Sequence, residues 1–107
     1  MGAIDFGNIQ KQFREMQKKM AVVENDLKER IVEAASGGGM VKVKISGTPE
    51  VVQVEINPEV LKSGDKAMLE DLVLAAVNEG MKKAKVLRDK EMAKIASAGG
   101  LLSTLGM

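Results

Sequence analysis

A chain of 107 residues with 45% hydrophobic and 29% charged side chains is long enough for one hydrophobic core, too short for two, and too apolar to stay disordered throughout. It contains no His, Cys, Trp or Tyr, which excludes disulfides, thiolate nucleophiles, imidazole bases and ordinary zinc sites, and leaves no cofactor, metal or enzymatic activity to expect. The formal net charge of +1 gives no global attraction to a polyanion, so any such partner has to be recognised by where the charges sit.

Residues 1–10 carry Asp5 and no basic stretch leading into a long apolar run, so they do not read as a secretory signal. No segment reaches membrane-spanning length, and a cytoplasmic protein of one domain, residues 1–107, is expected. The first element is a helix. Ile9, Phe13, Met16, Met20, Val23 and Leu27 recur at alternating steps of four and three, a narrow heptad seam whose default role is core packing. Asn8 is a good N-cap, and the β-branched pair Ile31-Val32 marks the end near Glu29 or Arg30.

Ile31 to Ser36 is a weaker strand candidate, joined by Gly37, Gly38 and Gly39 to the segment Val41-Lys42-Val43-Lys44-Ile45, which alternates apolar and charged residues as a half-buried strand does. Gly47-Thr48-Pro49-Glu50 has turn chemistry, and Val52-Gln53-Val54-Glu55-Ile56 alternates again until Asn57-Pro58 stops it. The expected hairpin carries Lys42, Lys44, Gln53 and Glu55 on its outer face. Beyond Ser63-Gly64-Asp65 a second helix runs to about Ala96 with no proline to break it, acidic at its start (Asp65, Glu70, Asp71) and basic near its end (Lys90, Lys94), as the helix dipole favours. Residues 97–107 combine Gly, Ser and Leu without a period and read as a mobile tail.

Strands of about six residues span roughly 20 Å, whereas the second helix would span on the order of 45 Å, so the helices overhang the sheet. Their overhanging apolar residues, including Leu87, Met92 and Ile95, ask for a second chain, and a two-fold homodimer is expected in preference to a monomer whose two helices pair along their length.

Sites of chemistry are scarce. The triple glycine is followed by Met40-Val41, not Lys-Ser or Lys-Thr, and leads into a strand, so it is a turn or bulge and not a phosphate loop. Glu70 with Asp71 and Glu55 with Glu59 are read as solvated faces. Positive charge is more informative. Lys11, Arg14 and Lys18 recur at steps of three and four away from the apolar seam, with Lys19 beside them, and residues 82–94 hold Lys82, Lys83, Lys85, Arg88, Lys90 and Lys94 against only Asp89 and Glu91. Such stripes suit phosphate backbones, although a solvated helix face explains them equally well. With two Phe, of which Phe13 is on the seam, there is no set of rings for stacking unpaired bases, which favours duplex over single strands.

The run Gly37-Gly38-Gly39-Met40-Val41-Lys42-Val43, then Gly47, then Val52-Gln53-Val54-Glu55-Ile56-Asn57-Pro58-Glu59-Val60-Leu61 resembles the YbaB/EbfC family of nucleoid-associated proteins. The likeness continues through Met68-Leu69-Glu70-Asp71-Leu72 and Ala75-Ala76-Val77-Asn78, and the opening helix with Met16-Gln17-Lys18-Lys19-Met20 is similar too. The resemblance implies an α+β fold of an N-terminal helix, a small antiparallel sheet of about three strands and a long C-terminal helix. It also implies a homodimer whose projecting helices bind DNA like tweezers, a location at the nucleoid and a role in gene regulation. The family supplies no invariant contact motif, so the expected contacts to double-stranded DNA, Lys11, Arg14, Lys18, Lys19, Lys82, Lys85 and Arg88, rest on charge and helical position. The competing reading is a protein-interaction or scaffold module that clasps another polypeptide through Met16, Met20 and their neighbours.

Overall fold

The computed structural model describes residues 5–98. In chain order it contains α1 (Phe6–Glu29), β1 (Ile31–Ser36), a single 3₁₀ turn (Gly37–Gly39), β2 (Val41–Ser46), β3 (Glu50–Ile56), α2 (Pro58–Ser63) and α3 (Lys66–Ala98). The α+β architecture is the expected one. Its extents of 76 × 24 × 17 Å reflect helices that outrun a small sheet.

α1 begins a turn earlier than the Asn8 cap would place it. The Asp5 carboxylate accepts from the Asn8 backbone N–H at 3.0 Å, so Asn8 lies inside the first turn and Asp5 closes it. An anionic cap also meets the positive end of the helix dipole, which a neutral Asn does not. At the other end the Arg30 N–H reaches the Asp26 and Leu27 carbonyls, and the Gly47 N–H donates to the Leu27 and Arg30 carbonyls at 2.9 and 3.0 Å. These bonds fasten the C-terminus of α1 to the turn between β2 and β3, and Leu27 is buried there.

The three strands form one antiparallel sheet in the order β1-β2-β3. Lys42 faces Glu55 and Lys44 faces Gln53, which puts all four on one face as the alternation requires. Between Lys44 and Ile45 the register shifts, so that Ile45 pairs with Val51 and Val52 is the extra residue of a bulge. The glycine run makes the β1–β2 turn with φ of +59°, +67° and +96° at Gly37, Gly38 and Gly39, a backbone path that side-chain-bearing residues rarely follow.

Asn57-Pro58 does more than end β3. The Asn57 side chain accepts from the Glu59 N–H at 2.9 Å and Pro58 takes the first helical position, so a short helix, α2, stands where the sequence suggested only a stop. Asp65 then caps α3, its carboxylate accepting from the Met68 N–H at 2.9 Å, and the helix runs from Lys66 to Ala98. Ser97 and Ala98, expected in the tail, thus belong to the helix, and the rest of that expected tail lies outside the described residues.

The core joins Ala34 of β1, Val41, Val43 and Ile45 of β2, and Ala76 and Ala84 of α3. Val41, Val43 and Ile45 are essentially fully buried, a burial that contributes roughly 1.5–3 kcal/mol per side chain. Gly80 allows this close approach: a Cβ there would lie 2.5 Å from Ile45 Cδ1 and 3.2 Å from Val43 Cγ2. α3 leans toward β1, where Ser36 Oγ donates to the Leu72 carbonyl at 2.5 Å and Lys83 Nζ to the Glu33 carbonyl at 3.1 Å. It therefore covers β1 and β2 and leaves Val51, Val52 and Val54 of the edge strand β3 exposed.

The seam of α1 is packed only near its C-terminal end. Val23 and Leu27 are partly and fully buried, Met16 is partly buried, and Ile9, Phe13 and Met20 are exposed. The expectation that Met20 packs in a core is corrected. The reason is length: α1 projects beyond the elements that could cover it.

Candidate nucleic-acid interface

Each residue turns a helix by about 100°, so Lys18, seven residues after Lys11, returns almost to the same face, and Arg14 falls between them on that side. The same geometry puts Ile9, Phe13, Met16 and Met20 on the opposite side of α1. Lys11, Arg14 and Lys18 are exposed, and none of them has an ion-pair partner among the described residues. Three cations thus stand in a row of about 10 Å on the outer side of a projecting helix. Lys19, exposed as well, is turned about 100° from Lys18, so it flanks the row and does not extend it.

The expected residues of α3 divide. Lys82 and Lys85 are exposed on the side away from the sheet, whereas Arg88 is partly buried and donates to the Glu24 carboxylate of α1. Arg88 is thereby engaged in joining the two helices. The bond from its guanidinium holds the Glu24 carboxyl below its usual range, and partial desolvation acts in the opposite direction. A second link lies alongside: Arg30 is 3.5 Å from Glu91, whose carboxyl is also lowered, first by the hydrogen bond from Lys94 and then by Arg30.

This joint lies between the two basic stretches read from the sequence. Lys18 precedes Glu24 by six residues and Lys11 by thirteen, about 9 and 20 Å out along α1 from the joint. Lys82 and Lys85 precede Arg88 on α3, in the part of that helix that lies over the sheet beside core residue Ala84. Lys83, one residue from Lys82, faces β1 and is held by the Glu33 carbonyl. Its different role follows from helical phase, which the local excess of positive charge conceals.

A further group appears only with the sheet assembled. Lys42, Lys44 and Lys83 gather with Glu33, Gln53 and Glu55 around an open cleft on its outer face. Lys44 is 3.8 Å from Glu33, so the cleft is of mixed charge and is less suited to phosphate than the row on α1.

Comparison with known proteins identifies the family. The sequence profile of the YbaB/EbfC DNA-binding family matches residues 1–101. The chain belongs to this family. A nucleoid-associated protein of Alkaliphilus metalliredigens is 46% identical, over 94% of this chain and 86% of the relative, and one of Thermoanaerobacter pseudethanolicus is 44% identical, over 94% and 88%. The crystal structure of an uncharacterized protein from Helicobacter pylori superposes with a TM-score of 0.75 at 30% identity, over 82% of this chain and 92% of that one. The YbaB/EbfC resemblance read from the hairpin and its flanking helices is therefore upheld along nearly the whole chain. Among the described residues of this YbaB/EbfC member no helix is long and apolar enough to cross a membrane.

Proposed function

We propose that this YbaB/EbfC-family chain is a nucleoid-associated protein that binds duplex DNA as a homodimer, holding the phosphate backbone through the outer face of α1. The observation that carries this reading is the row Lys11-Arg14-Lys18, three exposed cations without ion-pair partners among the described residues, on a helix that reaches beyond the core. Long, flexible cations in such a row neutralise phosphates and release counterions without reading base edges. Duplex is favoured because the chain has two rings, Phe6 and Phe13, and no Trp or Tyr, too few to stack a run of unpaired bases. Lys19, Lys82 and Lys85 add positive field around the site, and Arg88 positions α1 against α3.

Dimerisation is supported by what α3 leaves open. Leu72 and Lys83 lie on the side of α3 nearest β1, and Leu74 and Met81 lie about half a turn around the helix, toward β3. Leu74 and Met81 are exposed, as are Val51, Val52 and Val54 of β3. A second copy seated over β3 and this flank of α3 buries both at once and gives each dimer two α1 arms. Binding of this kind, broad in sequence, suits a gene-regulatory role exercised through DNA architecture.

Retardation of a duplex across a salt series tests the reading. Affinity falls steeply as salt rises, and replacing Lys11, Arg14 and Lys18 by Glu weakens binding to every sequence alike. Binding indifferent to both changes refutes it.

A further inference from the structure

The α1 seam extends past the part that the chain itself fills. With Phe6 included, Phe6, Ile9, Phe13, Met16, Met20, Val23 and Leu27 follow unbroken steps of three and four, the heptad spacing of a helix that packs along another helix. Leu27 is 0% exposed, yet Phe6 is 69%, Phe13 63% and Ile9 51% exposed. Ile9 and Phe13, with Gln10 and Arg14, line a shallow cleft on this surface.

The residues beside the seam indicate its occupant. In the two N-terminal heptads they are Gln10, Gln12, Gln17 and Lys19, with Arg14 at the edge of the cleft, whereas Lys11 and Lys18 are on the far side of the helix. A helix lying on anionic lipid needs cations on the flanks of its apolar face, where they reach headgroups while the apolar side chains insert. Here Lys11 and Lys18 point the opposite way, and only Arg14 and Lys19 stand at the edges of the face. DNA held by Lys11 and Lys18 lies on the side of the helix away from the seam. A second α1 meets both conditions: its apolar residues fit between these, and neutral glutamines on the flanks bring little like-charge repulsion when identical helices pair.

We propose that the N-terminal half of the α1 seam pairs with the same segment of another copy, forming a self-association surface separate from the dimer face over β3. Two such surfaces per chain join dimers into tetramers and longer assemblies. Lys11 and Lys18 remain on the outer ridges of each helix pair, so a joined pair can hold two duplexes. That last consequence rests on the DNA-binding reading, and the self-association itself does not.

Sedimentation of the full chain without DNA, from low to several hundred micromolar, reads the surface directly. The wild type is expected to pass from dimer to tetramer, and Phe6→Ser/Phe13→Ser to remain a dimer with unchanged circular dichroism and unchanged retardation of a short duplex. Ile9→Gln provides a second variant that also leaves the buried end of the seam intact. Self-association without any DNA retardation would refute the DNA-binding reading alone. The self-association proposal is overturned if the wild type stays dimeric at the highest concentration, or if the double variant becomes monomeric, which would assign the seam to the dimer face. It is equally overturned if a chain ending at Ala98 associates more strongly than the full chain, which would make residues 99–107 the occupant. Uptake onto phosphatidylglycerol vesicles that the double variant loses would overturn it in favour of a lipid surface.

Discussion

Gly80 allows the packing of α3 on the sheet to be tested atom by atom. In an exposed helix, Gly80→Ala would stabilise by about 1 kcal/mol through helix propensity. Here the new Cβ would stand 2.5 Å from Ile45 Cδ1 and 3.3 Å from Ile45 Cγ1, so α3 must move outward or Ile45 must leave its rotamer, an overpacking that costs roughly 1–3 kcal/mol. The net expectation is a loss of about 1 kcal/mol. Ile45→Val removes only Cδ1, the atom in closest conflict, and by itself costs about 0.5–1.5 kcal/mol. In the double variant the added methyl occupies much of the space that Cδ1 vacates and the propensity gain is retained, so its stability returns to within about 0.5 kcal/mol of wild type. Urea unfolding followed by circular dichroism, with all four proteins at one concentration because a dimer's stability depends on it, gives the cycle. Additive losses, with the double variant the least stable of the four, would refute the close approach of Gly80 to Ile45.

The α1 row sets a salt dependence: removing three cations from each of two chains by Lys11→Ala, Arg14→Ala and Lys18→Ala lowers the slope of log affinity against log salt by about 5, at about 0.9 per phosphate contact. A slope unchanged in the duplex retardation series would place the contacts elsewhere. The Glu24–Arg88 joint predicts a pH effect. Because the Glu24 carboxyl is held below its usual value of 4.5, the pair stabilises the fold above that pH, and the contribution disappears as the pH falls through the lowered value. Thermal unfolding should therefore find Glu24→Gln less stable than wild type at neutral pH and level with it in strong acid. Asp65→Ala removes the N-cap bond of α3 and costs about 1 kcal/mol in urea unfolding, with the loss of helix signal at the same midpoint as the loss of sheet signal.

What sequence alone determined about this chain was local and periodic. The three-and-four spacing from Ile9 to Leu27 dictates a helix, the alternation of Val41 to Ile45 and of Val52 to Ile56 dictates two strands with Lys42, Lys44, Gln53 and Glu55 on one face, and the glycines dictate the turn before Val41. Each follows from backbone geometry repeated every two or 3.6 residues, so neighbours in sequence suffice to read it. The choice between Asp5 and Asn8 as cap was not decided locally, since both have capping side chains, and α2 is too short to show a period.

Tertiary structure alone decided which cations are available. Arg88 and Lys83 sit in the same basic run as Lys82 and Lys85, yet Arg88 is taken by Glu24, 64 residues away, and Lys83 by the Glu33 carbonyl, 50 residues away. It also decided that α3 leans toward β1 and leaves β3 uncovered, because the Ser36 and Leu72 contact joins residues 36 apart. A charge announces itself in one letter, but whether it is spent on a neighbour or left for phosphate depends on which elements meet. That is a property of packing between distant segments, for which a single sequence carries no periodic signal.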